Sequence, residues 1–148
     1  MGVLGIIDRF EARCQTEERV VTPCHSPSAA MAEALAHIRS YGLPAQSVMP
    51  RTFVAVKVEL AQVLDLTDGR IRQSLGVSRN RMVRADWRAD MQSTRVPVTQ
   101  SLGQAAFEAG LEELLVPSAA ATGEENLICF VDNVLSSSRL EVVSPHEL

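Results

Sequence analysis

The chain is 148 residues long, enough for one domain with a buried core and too short for two full domains and a linker. Hydrophobic residues make up 46% of it and charged residues 22%, which excludes a disordered chain, a collagen and a coiled coil. Fourteen Lys and Arg against eighteen Asp and Glu leave a net charge of −4, so phosphate electrostatics do little here and nucleic acid is excluded as a direct partner.

In chain order, residues 1–19 are charged and weakly patterned. Residues 1–8 lack the basic start and long apolar stretch of a signal peptide, and Ile6 stands where a myristoylation site needs Ser or Thr. No apolar run in the chain is long enough to span a membrane. Cys14, Cys24 and Cys129 cannot pair completely and form no C-x-x-C, so neither a disulfide scaffold nor a metal site is expected, and a reducing cytoplasm is the expected location.

The first strand is predicted at residues 19–22, stopped by Pro23. Ser26 then supplies an N-cap and Pro27 a first-turn proline for a helix running to Tyr41, where Gly42 and Pro44 end it. Met31, Leu35 and Ile38 form an apolar stripe on this helix. Glu33 falls on the other side, among Ala29, Ala30, Ala36 and His37, small neighbours that let another element come close. The plain reading of such a glutamate is a solvated face; its alanine lining invites a functional one.

Residues 52–60 alternate with a period of two, the pattern of a half-buried strand. A short strand at 63–66 turns at Thr67, Asp68 and Gly69 into a short helix over 70–75 that stops at Gly76. Residues 77–96 read as polar and irregular. Their arginines, Arg79, Arg81, Arg84, Arg88 and Arg95, are interrupted by Asp86 and Asp90 and read as a solvated charge run rather than a phosphate track. A helix follows over 97–109 with Leu102, Ala105, Ala106 and Ala109 at core spacing and Gly110 as its stop.

Residues 113–116 read as a strand entering Pro117 and Ser118, and residues 122–125 as a turn. Residues 126–131 form an apolar strand expected to be buried, and 140–143 a final strand. Because strands outnumber helices and the two do not alternate, the fold class is α+β, a mixed sheet core with flanking helices.

Common chemical motifs are missing: there is no phosphate-binding glycine loop, no G-x-G-x-x-G, no G-x-S-x-G and no H-E-x-x-H. Ser118 with His25, His37 or His146 as base would make a serine hydrolase, but no local pattern groups them. More informative is an ordered set: Ser26-Pro-Ser-Ala-Ala-Met-Ala-Glu33, Val63-Leu-Asp-Leu66, Asp86-Trp87, Thr99-Gln-Ser-Leu-Gly103, Leu114-Leu-Val-Pro-Ser118 and Asn126-Leu-Ile. In this order and spacing the segments resemble the RES domain family, named for an arginine, a glutamate and a serine, over residues 20–143.

The resemblance implies a single RES-like domain over residues 1–148, of compact α+β architecture similar to ADP-ribosyltransferases. It also implies the toxin half of a bacterial toxin–antitoxin pair that consumes NAD+ by hydrolysis, phosphorolysis or ADP-ribosyl transfer to a protein. On this likeness Glu33 matches the family glutamate and Ser118 the family serine, and Arg9 is the nearest candidate for the arginine. Glu33 would stabilise the oxocarbenium-like transition state, as carboxylates do in glycoside cleavage. Arg9, or Arg13 or Arg19 in its stead, would hold the diphosphate in a bidentate contact. Ser118 would hydrogen-bond the nicotinamide ribose or amide, and Asn126 would shape the same loop.

The family's Gly-Arg-Trp/Phe-Asn segment is only partly kept, since Asp8 and Glu11 replace its glycine and asparagine and Thr22 replaces a frequent tyrosine. Residues 1–19 are therefore expected to be atypical or shortened, without the additional arginine-bearing strand of relatives. A second reading follows: a non-catalytic RES-like binding module that sequesters an antitoxin or a related toxin. Expected partners are a cognate antitoxin, NAD+ as substrate, a protein acceptor of ADP-ribose and a second copy of the chain. Trp87, the single tryptophan, reads as a packing residue rather than a stacking platform for adenine.

Overall fold

The computed structural model describes residues 2–5, 20–21, 23–24, 26–44, 46, 54–84 and 96–143. In chain order these form strands β1 (Gly2–Gly5), β2 (Val20–Val21) and β3 (Pro23–Cys24), helix α1 (Pro27–Ser40), strands β4 (Val54–Glu59) and β5 (Val63–Asp65), and helices α2 (Gly69–Ser74), α3 (Arg79–Val83) and α4 (Val98–Glu108). Strands β6 (Glu113–Pro117), β7 (Glu125–Phe130) and β8 (Arg139–Val143) complete the set. The architecture is α+β, as the element order predicts.

One mixed sheet runs β5-β6-β7-β3-β1-β4-β8, with β2 also paired to β7. Every pairing is antiparallel except β5 with β6, where Leu64 lies opposite Leu114. A parallel pair needs a long crossover, and here it is supplied by α2, α3 and α4. Those helices bury one face of β5–β7 in a cluster of Leu66, Val77, Met82, Ala106, Leu114 and Phe130. On the other face Leu127 and Cys129 pack with Leu115 and with Val58, Leu60 and Leu140, so the two ends of the sheet share a second cluster.

Alpha-helix α1 forms where the caps predict. The Ser26 side chain accepts from the Ala29 amide, Pro27 occupies the first turn, and past the Tyr41 cap the chain leaves through Gly42 at φ 69°, a conformation glycine adopts without strain. Its buried face is Ala29, Ala30, Ala34 and Ile38, while Met31 and Leu35 are half-buried, so of the expected stripe Ile38 is buried and the alanines supply the rest of the packed face. Small side chains win here because they let the helix axis approach the strands beneath. Cys24 belongs to the same small cluster with Ala29 and Ala30.

Other departures are local. Residues 2–5, read as unpatterned, form β1 in the middle of the sheet between β3 and β4. Within the stretch read as irregular, Ser78 caps the five-residue α3 by accepting from the Arg81 amide. Helix α4 ends at Gly110, φ 76°, as its sequence predicts, but of its four expected core residues Ala106 is buried, Leu102 is half-buried, and Ala105 and Ala109 are exposed. No helix among the described residues is long and apolar enough to cross a membrane.

Candidate functional site

Four side chains from four elements meet where α1 crosses the sheet. Glu33 sits in the second turn of α1, Ser118 directly follows β6, Asn126 is the second residue of β7 and Cys24 ends β3, opposite Asn126. Oε1 of Glu33 accepts two hydrogen bonds, from Ser118 Oγ at 2.6 Å and from Asn126 Nδ2 at 2.5 Å. Oε2 takes no donor among the described residues, and Glu33 is half-buried while Ser118 is 3% and Asn126 8% exposed. One carboxylate oxygen is thus anchored by two donors, and the other has none among the described residues.

Ser118 is held from behind. Its Oγ accepts the backbone amides of Ala120, at 3.2 Å, and Ala121, at 2.8 Å, while donating to Glu33. Its own amide donates to the Glu124 carbonyl at 2.9 Å, and the Glu124 amide returns to the Ala121 carbonyl at 3.1 Å, closing the 118–124 loop. A hydroxyl that gives its proton to a carboxylate and accepts two amides has spent both its donor and its lone pairs. Its partner is a carboxylate and not His37, whose ring packs edge-on against Tyr41 at 4.9 Å. The arrangement makes Ser118 a clamp on Glu33.

Cys24 closes the chain of contacts by donating its thiol to Asn126 Oδ1 at 3.3 Å. Burial, and then the charges of Glu33 and Glu124, push this thiol up to about 11, so it remains protonated at neutral pH. Cys24 and Cys129 are both buried free thiols.

Of the residues proposed from sequence, the structure brings together Glu33, Ser118 and Asn126. Arg9, with its substitutes Arg13 and Arg19, lies outside the described residues, as do His25, Trp87, Arg88, Arg95 and His146. Arg79, Arg81 and Arg84 are exposed on and just after α3. The contribution of Cys24 carries no sequence signal, because a single cysteine before a helix cap matches no motif.

Three comparisons bear on this arrangement. The family model for the RES domain matches residues 20–147. A search of curated proteins finds no match. Among solved structures, the crystal structure of the M. tuberculosis MbcT–MbcA toxin–antitoxin complex contains a chain that superposes with a TM-score of 0.62 at 18% identity. The superposition covers 86% of the present chain and 64% of that one, a likeness of fold.

Proposed function

The chain belongs to the RES domain family, and from that premise we propose that it is a toxin that consumes NAD+ in the bacterial cytoplasm and is neutralised by a cognate antitoxin. The observation that carries this reading is the half-anchored carboxylate of Glu33, one oxygen clamped by Ser118 and Asn126 and the other unclaimed among the described residues. The partner class is supported by the fold's likeness to a chain solved within a toxin–antitoxin complex.

The chemistry asks for such a group. When the nicotinamide–ribose bond breaks, its electron pair leaves on nicotinamide and positive charge grows on the ribose. A fixed carboxylate beside the sugar stabilises that charge and orients the ribose hydroxyls without reorganising during the reaction. Water, phosphate or a protein side chain then bonds to the anomeric carbon and releases a proton. Ser118 and Asn126 act by preventing rotation of Glu33, and Asn126 also shapes the rim at the start of β7. Arg9 is the candidate for the diphosphate, where a guanidinium makes a bidentate contact.

The test is NAD+ concentration over time with purified protein, with and without phosphate, beside Glu33→Ala and Glu33→Gln. The unmodified protein is expected to consume NAD+, and both variants to lose at least about a hundredfold in rate, the scale of losing one pre-organised electrostatic group. Glu33→Gln keeps an acceptor for the two buried donors, so it separates lost charge from lost folding. Full activity in a folded Glu33→Gln protein would remove Glu33 from the mechanism. No NAD+ loss by the folded, unmodified chain would favour the binding module, in line with the altered residues Asp8 and Glu11 beside Arg9.

A further inference from the structure

We infer that Cys24 is a positioning residue for Glu33, its thiol locking the Asn126 amide in the one orientation that can donate to the carboxylate. The inference rests on the proposed NAD+-consuming role of that carboxylate and extends it to a residue one contact further back. An amide side chain has an acceptor end and a donor end of nearly equal size, and only its neighbours decide which way it points. Here the neighbours differ in kind: the carboxylate oxygen accepts, and the thiol offers a hydrogen. Cys24 Sγ therefore takes Oδ1, at 3.3 Å, and Nδ2 is turned onto Glu33 Oε1, at 2.5 Å.

Three further observations favour this role over simple packing. Cys24 lies opposite Asn126 in the β3–β7 pairing, so backbone hydrogen bonding fixes the distance between the two residues. Cys24 is 2% exposed and packs among Ala29, Ala30 and the partly buried Ala121, so its thiol is held against Asn126 by its surroundings. Its protonation is secured by the same burial that removes it from solvent, since desolvation and two nearby carboxylates disfavour the thiolate. Were the thiol ionised, Asn126 would face two acceptors, and one of its ends would be left in conflict.

The experiment compares the unmodified protein with Cys24→Ser and Cys24→Ala, each first shown to be folded by circular dichroism. Two readouts are taken: the side-chain amide resonances of Asn126 by NMR, and kcat and KM for NAD+ loss. Cys24→Ala is expected to shift the Asn126 amide resonances and lower kcat roughly fivefold to tenfold with little change in KM, the effect of one hydrogen bond on the placement of a reacting group. Cys24→Ser, whose hydroxyl still donates, is expected to retain both.

Unshifted resonances in Cys24→Ala would overturn the inference, and so would a serine variant as impaired as the alanine variant, since packing volume would then be the whole effect. A protein that consumes no NAD+ but shows the alanine-specific shift would sink the proposed activity and support the lock on Asn126. The two failures are therefore distinguishable.

Discussion

Each hydrogen bond on Ser118 has its own consequence when the hydroxyl is removed. In Ser118→Ala, Glu33 Oε1 loses one of its two donors, and the amides of Ala120 and Ala121 lose their acceptor. Buried donors without acceptors cost about 1–3 kcal/mol, so this variant should be less stable in urea unfolding and should lose NAD+ turnover, through a loosened Glu33 rather than a lost nucleophile. A variant as stable and as active as the parent would deny the clamp. The direction of Glu33 was legible from sequence, because a period of 3.6 residues puts it among alanines. The meeting of Glu33 with Ser118 and Asn126 was not legible from spacing: the partners lie 85 and 93 residues away, and only the family resemblance joined them. Cys24 was silent altogether, since its meaning resides in a partner 102 residues distant.

Helix α1 carries Glu33, so its start matters for the site. Ser26→Ala removes the acceptor for the Ala29 amide and should cost about 1 kcal/mol, roughly 3 °C in Tm for a chain of this size. Ser26→Asp, whose carboxylate can accept from the same amide, is the control and should leave Tm within about half that shift. Equal melting of the two variants would mean that Ser26 does not cap. The caps of α1 and α4 could be read because serine, proline and glycine signal locally. On α1 the small neighbours around Glu33 could be read as the side open to close approach, and Ala29 and Ala30 are indeed buried there; of the apolar stripe Ile38 is buried, while Met31 and Leu35, which size alone would favour, are half-buried. Strand β1, of four residues, and helix α3, of five, are too short to show a period, and tertiary pairing decides them.

At the scale of the whole molecule, two adjacent buried glutamates, Glu112 just before β6 and Glu113 at its head, carry opposite pH dependence. Burial works against the Glu112 carboxylate, but the amides of Ala61, Gln62 and Leu135 donate to it and bring its pKa down to about 2. Burial, and then the charge of Glu112, push Glu113 up to about 7. A lowered carboxylate pKa adds stability that is lost as pH falls from about 4.5 towards 2, and a raised one adds stability that is lost as pH rises from about 4.5 to 7. Unfolding midpoints should therefore decline between pH 4.5 and 7, and Glu113→Gln should flatten that limb; an unchanged slope in the variant would assign the decline elsewhere. Neither role could be told from a pair of identical letters at the head of a strand. The long separations within the Cys24–Asn126–Glu33–Ser118 cluster also set an order in time. Cys24 and Glu33 leave the ribosome first, and at roughly 5–20 residues per second they wait several seconds for the strand that completes them. Until residue 126 has been made and paired, Glu33 has no fixed carboxylate to offer, so a nascent chain passes most of its synthesis before the assembled cluster can exist.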